Sequence, residues 1–208
     1  MANTKQAQAK KEIIMANMFT SDLHWFHKNI CNFSGRPWEY KDNTNRLIEI
    51  WNENVGKKDT CWHLGDTFFL GHSEAHVELC LEVIEQLNGT PRFIMGNHDP
   101  SRLWNKLLPH LPADSTVDKY KEIKLNKTKI CLFHYPQVVW NQSHRGSIQL
   151  HGHCHGSLHN LGKSIDVGLD GANERLGAWR FWTEKDILDY AEKLTVYSPD
   201  HHEIGGNG

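Results

Sequence analysis

Short apolar runs alternate with amphipathic stretches along the first half of the chain. Met18-Phe19-Thr20-Ser21, Thr60-Cys61-Trp62-His63-Leu64 and Arg92-Phe93-Ile94-Met95 have the length of strands, and polar or glycine-rich segments bound them. Between the first two, Asp42 to Val55 sets Leu47, Ile50, Trp51 and Val55 on one helical face, and Gly56 ends the pattern. Between the second and third, Ser73 is the expected N-cap of a helix carrying Val77, Cys80, Leu81, Ile84 and Leu87, with Gly89 expected in the C′ position. The order β-α-β-α-β predicts right-handed crossovers and a largely parallel sheet.

The second half changes rhythm. Lys121 to Leu125 and Lys129 to Phe133 flank Asn126-Lys127-Thr128, a predicted hairpin. Ser147 to Leu150 and Lys163 to Val167 read as further strands. Thr183 with Asp186 three residues later forms a capping-box pattern that opens a last helix through Ile187, Tyr190, Ala191 and Leu194. The fold expected is an α/β sandwich, in one domain over residues 18–195. A polar arm, residues 1–17, precedes it, and a tail over residues 196–208 is expected to be disordered. Neither an internal repeat nor an interdomain linker is visible.

Composition adds constraints. A chain of 208 residues with 38% hydrophobic content, eight Trp and eight Phe can bury a sizeable core. The formal net charge of -2 gives no general electrostatic drive toward nucleic acid or an anionic membrane. No apolar run approaches the ~18 residues of a membrane span, and the N-terminus has no signal-like apolar segment. The five cysteines, Cys31, Cys61, Cys80, Cys131 and Cys154, form no C-x-x-C pair and read as free thiols of a reducing compartment. The expectation is a cytoplasmic protein. Fifteen histidines, six of them between His134 and His159, are the compositional anomaly.

Those histidines fall into blocks with Asp and Asn, and each block follows a strand-like run: Asp22-Leu23-His24, Gly65-Asp66, Gly96-Asn97-His98-Asp99, Phe133-His134-Tyr135-Pro136 and Gly152-His153-Cys154-His155. Singly, each has an ordinary reading: a turn Asp, a surface His, a satisfied core His. Asp22 and His24, two apart, would share one face of a straight strand, and His153 and His155 repeat that spacing. Together, five blocks of oxygen and imidazole donors at strand ends point to metal, because open α/β sheets place their sites there.

The order Asp-x-His, Gly-Asp, Gly-Asn-His-Asp, His, Gly-His-x-His resembles the calcineurin-like metallophosphoesterase superfamily over roughly Phe19 to Val167. Phe19-Thr20-Ser21-Asp22-Leu23-His24, Trp62-His63-Leu64-Gly65-Asp66, His144-Arg145-Gly146-Ser147 and Asp166-Val167-Gly168-Leu169-Asp170 resemble a small single-domain bacterial and phage branch of it. The resemblance implies a four-layer α/β/β/α sandwich with a dimetal site on the strand-end loops. It implies that Asp22, His24, Asp66 and His155 hold one ion, that Asp66 bridges, and that Asn97, His134 and His153 hold the other. It implies two divalent transition-metal ions, with Mn²⁺ the leading choice and Fe, Co, Ni or Zn as alternatives. A metal-bridged hydroxide would attack phosphorus in line. His98 would protonate the leaving group, with Asp99 orienting its ring.

Further assignments are looser. Arg145, His144, His27 and Arg36 are possible substrate contacts, and each also fits a solvated loop. Trp25, Phe26 and Trp38 either stack a nucleobase or anchor their loop to the core. His63 is expected to support Asp66. Cys154 stands where members of the superfamily usually have Ser or Thr. His151, His159, His201 and His202 receive no role. The function expected is phosphoester hydrolysis of a small phosphoester, leaning to diesters of nucleotide type: cyclic nucleotides, cyclic oligonucleotides or nucleic-acid ends. Phosphomonoesterase and nuclease activities are alternatives, as is a non-catalytic protein-binding scaffold. No membrane partner is expected.

Overall fold

The computed structural model describes residues 15–159 and 161–199. Most of the arm expected over residues 1–17, the tail beyond residue 199, and with it His201 and His202, lie outside the described residues. The first strand, β1, is Asn17–Thr20 and so takes in the last residue of that arm. The helices α1 (Ile30–Phe33) and α2 (Tyr40–Asn54) follow, then β2 (Thr60–His63), α3 (Glu74–Ile84), β3 (Thr90–Ile94), α4 (Ser101–Leu107) and β4 (Thr116–Asp118). The second half contributes β5 (Tyr120–Leu125), β6 (Thr128–Phe133), β7 (Ile148–His151), β8 (Ser164–Asp166), α5 (Leu169–Leu176), β9 (Trp182–Thr183) and α6 (Glu184–Glu192).

The strands form two sheets. One has the order β4-β3-β2-β1-β9, parallel except for β9; the other has the order β5-β6-β7-β8. In the second sheet, the expected β5–β6 hairpin is antiparallel, and β6, β7 and β8 run parallel. Strand alternation explains why the sheets stack. Met18, Cys61 and Phe93 enter one core cluster with Leu47, Ile50, Trp51, Cys80 and Leu103 of the helices. Their neighbours Phe19, Trp62 and Ile94 point the other way, into a second cluster with Ile130, Leu132, Leu150 and Ile165. The first sheet is therefore apolar on both faces, which is why its strands read as continuous apolar runs. Among the helices, α5 and α6 add Ala172, Ile187 and Ala191 to the second cluster. The outward residues of the second sheet, Cys131 and Gln149, are capped by the loop before β7. Gln149 hydrogen-bonds Gln137 N–H (2.9 Å) and the Tyr135 carbonyl (2.9 Å), and the Cys131 thiol approaches the Asn141 carbonyl (3.7 Å).

Two local expectations had different outcomes. Ser73 caps α3 by accepting from His76 N–H, but the helix ends at Ile84, and Gly89 sits at the entrance to β3 rather than at C′. At α6, Thr183 and Asp186 form the full capping box. Thr183→Ala is expected to cost ~1 kcal/mol, read as a lower urea midpoint with unchanged slope. The bidentate Arg180–Asp186 pair (2.7 and 2.9 Å) would remain. All five cysteines are free, and four of them are buried. Among the described residues, no helix is long and apolar enough to cross a membrane.

Candidate active site

Every predicted ligand block lies just past the C-terminal end of a strand, and backbone bonds lace the blocks together. Asp22 N–H donates to the Gly65 carbonyl (3.0 Å), His24 N–H to the Asp66 carbonyl (3.0 Å), and Gly152 N–H to the His134 carbonyl (3.0 Å). Asp22 and His24 do not share the face of a straight strand, as their spacing suggested. Asp22, His24, Asp66, His153 and His155 all adopt left-handed backbone, with φ of 57°, 50°, 55°, 70° and 47°. For residues other than glycine, this conformation costs roughly 1–2 kcal/mol each. The lacing holds these turns and aims their side chains inward.

The side chains gather in two triads. Ligand atoms of Asp22, His24 and His155 lie within 4.8 Å of one another, as do those of Asp66, His134 and His153. Asp66 belongs to both neighbourhoods: its Oδ2 is 3.5 Å from His24 Nε2 and 3.5 Å from His134 Nε2. Asn97 joins the second triad, its Oδ1 lying 3.0 Å from His134 Nε2 and 2.9 Å from His153 Nδ1. The seven residues expected as ligands thus converge as two adjacent groups. Space around them is tight. A Cβ on Gly96 would fall 2.3 Å from Asp66 Oδ1, and one on Gly152 would fall 1.9 Å from Ser21 Oγ and 2.4 Å from Asp22 Oδ2.

Electrostatics and orientation suit cations. Burial pushes the Asp22 carboxyl up to about 7, although His155 and His134 pull against it. That carboxylate is short of positive charge, and a divalent ion of the kind an Asp/His/Asn donor set holds would supply it. Burial pushes His24 down to about 3, keeping its imidazole neutral and able to donate a lone pair. Burial opposes charge on Asp66 and His134 as well, but their mutual contact wins. Asp66 is held at about 2 and His134 is raised to about 9. His134 Nδ1 contacts the Leu64 carbonyl (2.8 Å). A carbonyl only accepts, so Nδ1 carries the hydrogen and Nε2 faces the site.

One residue that the sequence reading left without a role orients a ligand. Asp170, at the start of α5, lies 2.7 Å from His155 Nδ1 and leaves Nε2 toward Asp22. The Asp-Val-Gly-Leu-Asp segment was the signal for it. Asp166, in the same segment, accepts from Gly156 N–H and Gly168 N–H (both 2.9 Å) and shapes the His-Cys-His turn.

Three expected roles need correction. Arg36 is not available to substrate. It is buried, paired with Asp170 through Nε (2.9 Å) and Nη2 (3.2 Å), and bound to the Leu23 and Asp22 carbonyls (2.9 and 2.8 Å). It pins the first loop to the residue that orients His155. Asp99 does not aim His98. Its Oδ2 accepts from Asp66 N–H (2.7 Å) and Gly96 N–H (2.8 Å), and its Oδ1 from Thr67 N–H (3.0 Å), so it fixes the turn that carries Asp66. Arg145 and His144 lie on a 3₁₀ turn, Ser143–Arg145, before β7. Arg145 lines a cleft with Lys124, Lys127 and Lys129 at the start of β6, roughly 15 Å of strand from His134.

His98 and His27 stay at the site. The His98 ring lies 5.5 Å from the His24 ring and 5.2 Å from Phe69, and the backbone N–H of His98 donates to Asp66 Oδ1 (2.8 Å). Beside the first triad opens a cleft of about 510 Å³, with His24 and His155 on its floor and His27, Phe33, Ser34 and His98 around it. The aromatic residues proposed for stacking do not reach it. Trp25 is fully buried, Phe26 packs on the first core cluster, and Trp38 lies against Trp179 at 5.2 Å. His63 is buried behind Asp66, its Nδ1 3.1 Å from Thr67 Oγ1. Cys154 lines the cleft, and its thiol pKa is raised by burial. His151 is buried against the Gly152 carbonyl, and His159 lines a small apolar pocket away from the triads.

Two stacked sheets, with paired triads of possible metal ligands at their strand ends, are the arrangement that the resemblance of the ordered motifs to calcineurin-like metallophosphoesterases implies. The chain belongs to one family with the gene 66 protein of Mycobacterium phage D29, to which it is 32% identical over 75% of this chain and 89% of that protein. An uncharacterised protein of Methanocaldococcus jannaschii, MJ1445, is 30% identical over 74% of this chain and 81% of its own length. The crystal structure of a protein of unknown function from Aquifex aeolicus, AQ665, superposes with a TM-score of 0.62 at 21% identity, covering 85% of this chain and all of that one. No family model matches the chain.

Proposed function

We propose that the protein is a dinuclear-metal-dependent phosphoester hydrolase, acting on phosphodiesters of nucleotide type. One observation carries this reading: a single Asp66 oxygen lies 3.5 Å from a histidine of each group, the arrangement a bridging carboxylate needs. Asp22, His24, Asp66 and His155 would hold one ion, and Asp66, Asn97, His134 and His153 the other. Imidazole and oxygen donors together suit Mn²⁺, Fe, Co, Ni or Zn, and the resemblance puts Mn²⁺ first among them. When bound, two such ions lower the pKa of water and draw charge from the phosphoryl oxygens.

The chain's own residues do the rest. Asp66 fixes the separation of the two sites, and Asp99 fixes Asp66 through three backbone hydrogen bonds. His98, exposed at the rim beside His24, would donate a proton to the departing oxygen. The open cleft beside the first triad suits a substituent larger than phosphate and favours diesters over inorganic or small monoesters. A nuclease would want cations beside the metals, and the cleft of Lys124, Lys127, Lys129 and Arg145 lies at the far end of β6. A binding scaffold has no need of ligands at all seven positions.

The test is chelation followed by metal return. Protein stripped with EDTA should not cleave bis-p-nitrophenyl phosphate, and Mn²⁺ should restore cleavage with about two ions bound per chain. Metal-independent cleavage, or a protein that binds Mn²⁺ and hydrolyses no phosphoester, would reject the reading.

A further inference from the structure

The rim of the cleft exposes Phe33 (75% exposed), and Phe69 (42%) lines a neighbouring pocket that shares His98 with it. Neither belongs to a loose segment. Phe33 ends α1, whose Ile30 and Cys31 are buried, and the next residues are tied down: Ser34 Oγ lies 3.4 Å from His155 Nδ1, and Arg36 is locked to Asp170. Phe69 follows Phe68, which is fully buried, and Phe69 N–H donates to the Trp25 carbonyl (2.9 Å). Both rings are thus held toward water by anchored neighbours.

They are also connected. The His27 ring lies between them, 4.1 Å from Phe69 and 5.9 Å from Phe33 by centroid, and 5.7 Å from His24. Phe69 touches the His98 ring at 5.2 Å. A row of rings, Phe33–His27–Phe69, therefore runs from the mouth of the cleft to the proton donor and to a metal-binding histidine. Exposed π faces beside a phosphate site match a planar aromatic group one sugar away from the phosphate.

We infer that Phe33, His27 and Phe69 form a base-stacking subsite, and that Phe33 makes the protein prefer esters whose phosphate is attached to a nucleoside. This rests on the hydrolase reading above and sharpens its substrate class. Exposed rings held by anchored loops stack bases with little ordering cost, and base identity matters little because every base presents a π face.

The experiment uses full-length protein saturated with Mn²⁺ and two inert ligands. One is the methylene phosphonate analogue of AMP, in which carbon replaces the ester oxygen; the other is the same phosphonate on bare ribose. Calorimetric titration should find the base-bearing ligand bound about tenfold more tightly. Phe33→Ala should erase that difference, Phe33→Trp should keep it, and Mn²⁺ titrations of both variants should match wild type. Equal binding of the two ligands by wild type, or an undiminished preference in Phe33→Ala, overturns the inference while Mn²⁺ uptake still stands. A protein that takes up no Mn²⁺ overturns the hydrolase reading and this inference together.

Discussion

Asp66→Asn should remove nearly all activity and weaken both metal sites at once. The carboxylate lies between the two groups, 3.5 Å from His24 on one side and His134 on the other. An amide has the same shape but no negative charge, and only one of its ends can accept. Outer-shell partners of metal ligands typically cost about 10–100-fold when lost; a shared ligand should exceed that, at about 1,000-fold or more. Metal content by plasma emission spectroscopy, alongside diesterase activity, checks the claim. A variant that keeps two ions per chain would show that Asp66 is not the bridge.

His98→Ala should have the second-largest effect, with a different signature. The ring stands at the rim, in contact with His24 and Phe69, and only the backbone N–H of His98 holds Asp66. The backbone bond survives truncation, so metal binding should persist while turnover falls about 10²–10⁴-fold, the usual worth of a general acid. The loss should be smallest for nitrophenyl esters, whose leaving groups need no proton, and largest for alkyl or ribosyl leaving groups. Rates across leaving groups of graded pKa measure this directly; a uniform loss, or loss of metal, would remove His98 from the acid role.

Much of this was legible in the chain because its signals are local. The first three strands are apolar runs covered on both faces, and the ligands follow them within a few residues, so pattern and site coincide. What escaped depends on pairing across the fold. The helices α4 and α5 span seven and eight residues, too few to show a period, and β9 is two residues long, made a strand only by pairing with Met18 and Phe19. Arg36 and Asp99 look like site residues because they sit near ligands in sequence. Their partners, Asp170 and the Asp66 turn, lie 134 and about 33 positions away, and spacing cannot show which charges meet. The same distance effect hid Phe33: Trp25 and Trp38 are larger aromatics, but the core claims them, and the smaller ring is the one left outside.

The closing of β1 by β9 has a consequence for how the protein is made. The strand that delivers Asp22 and His24 is made before β9, and its outer edge stays open until Trp182 and Thr183 arrive. A nascent chain halted before residue 134 already carries Asp22, His24, Asp66 and Asn97 but lacks His134, His153 and His155. The full donor set of both groups therefore exists only once His155 has been made. Prematurely terminated products would present an unpaired apolar strand edge, a template for clumping with one another, before they could bind a pair of ions.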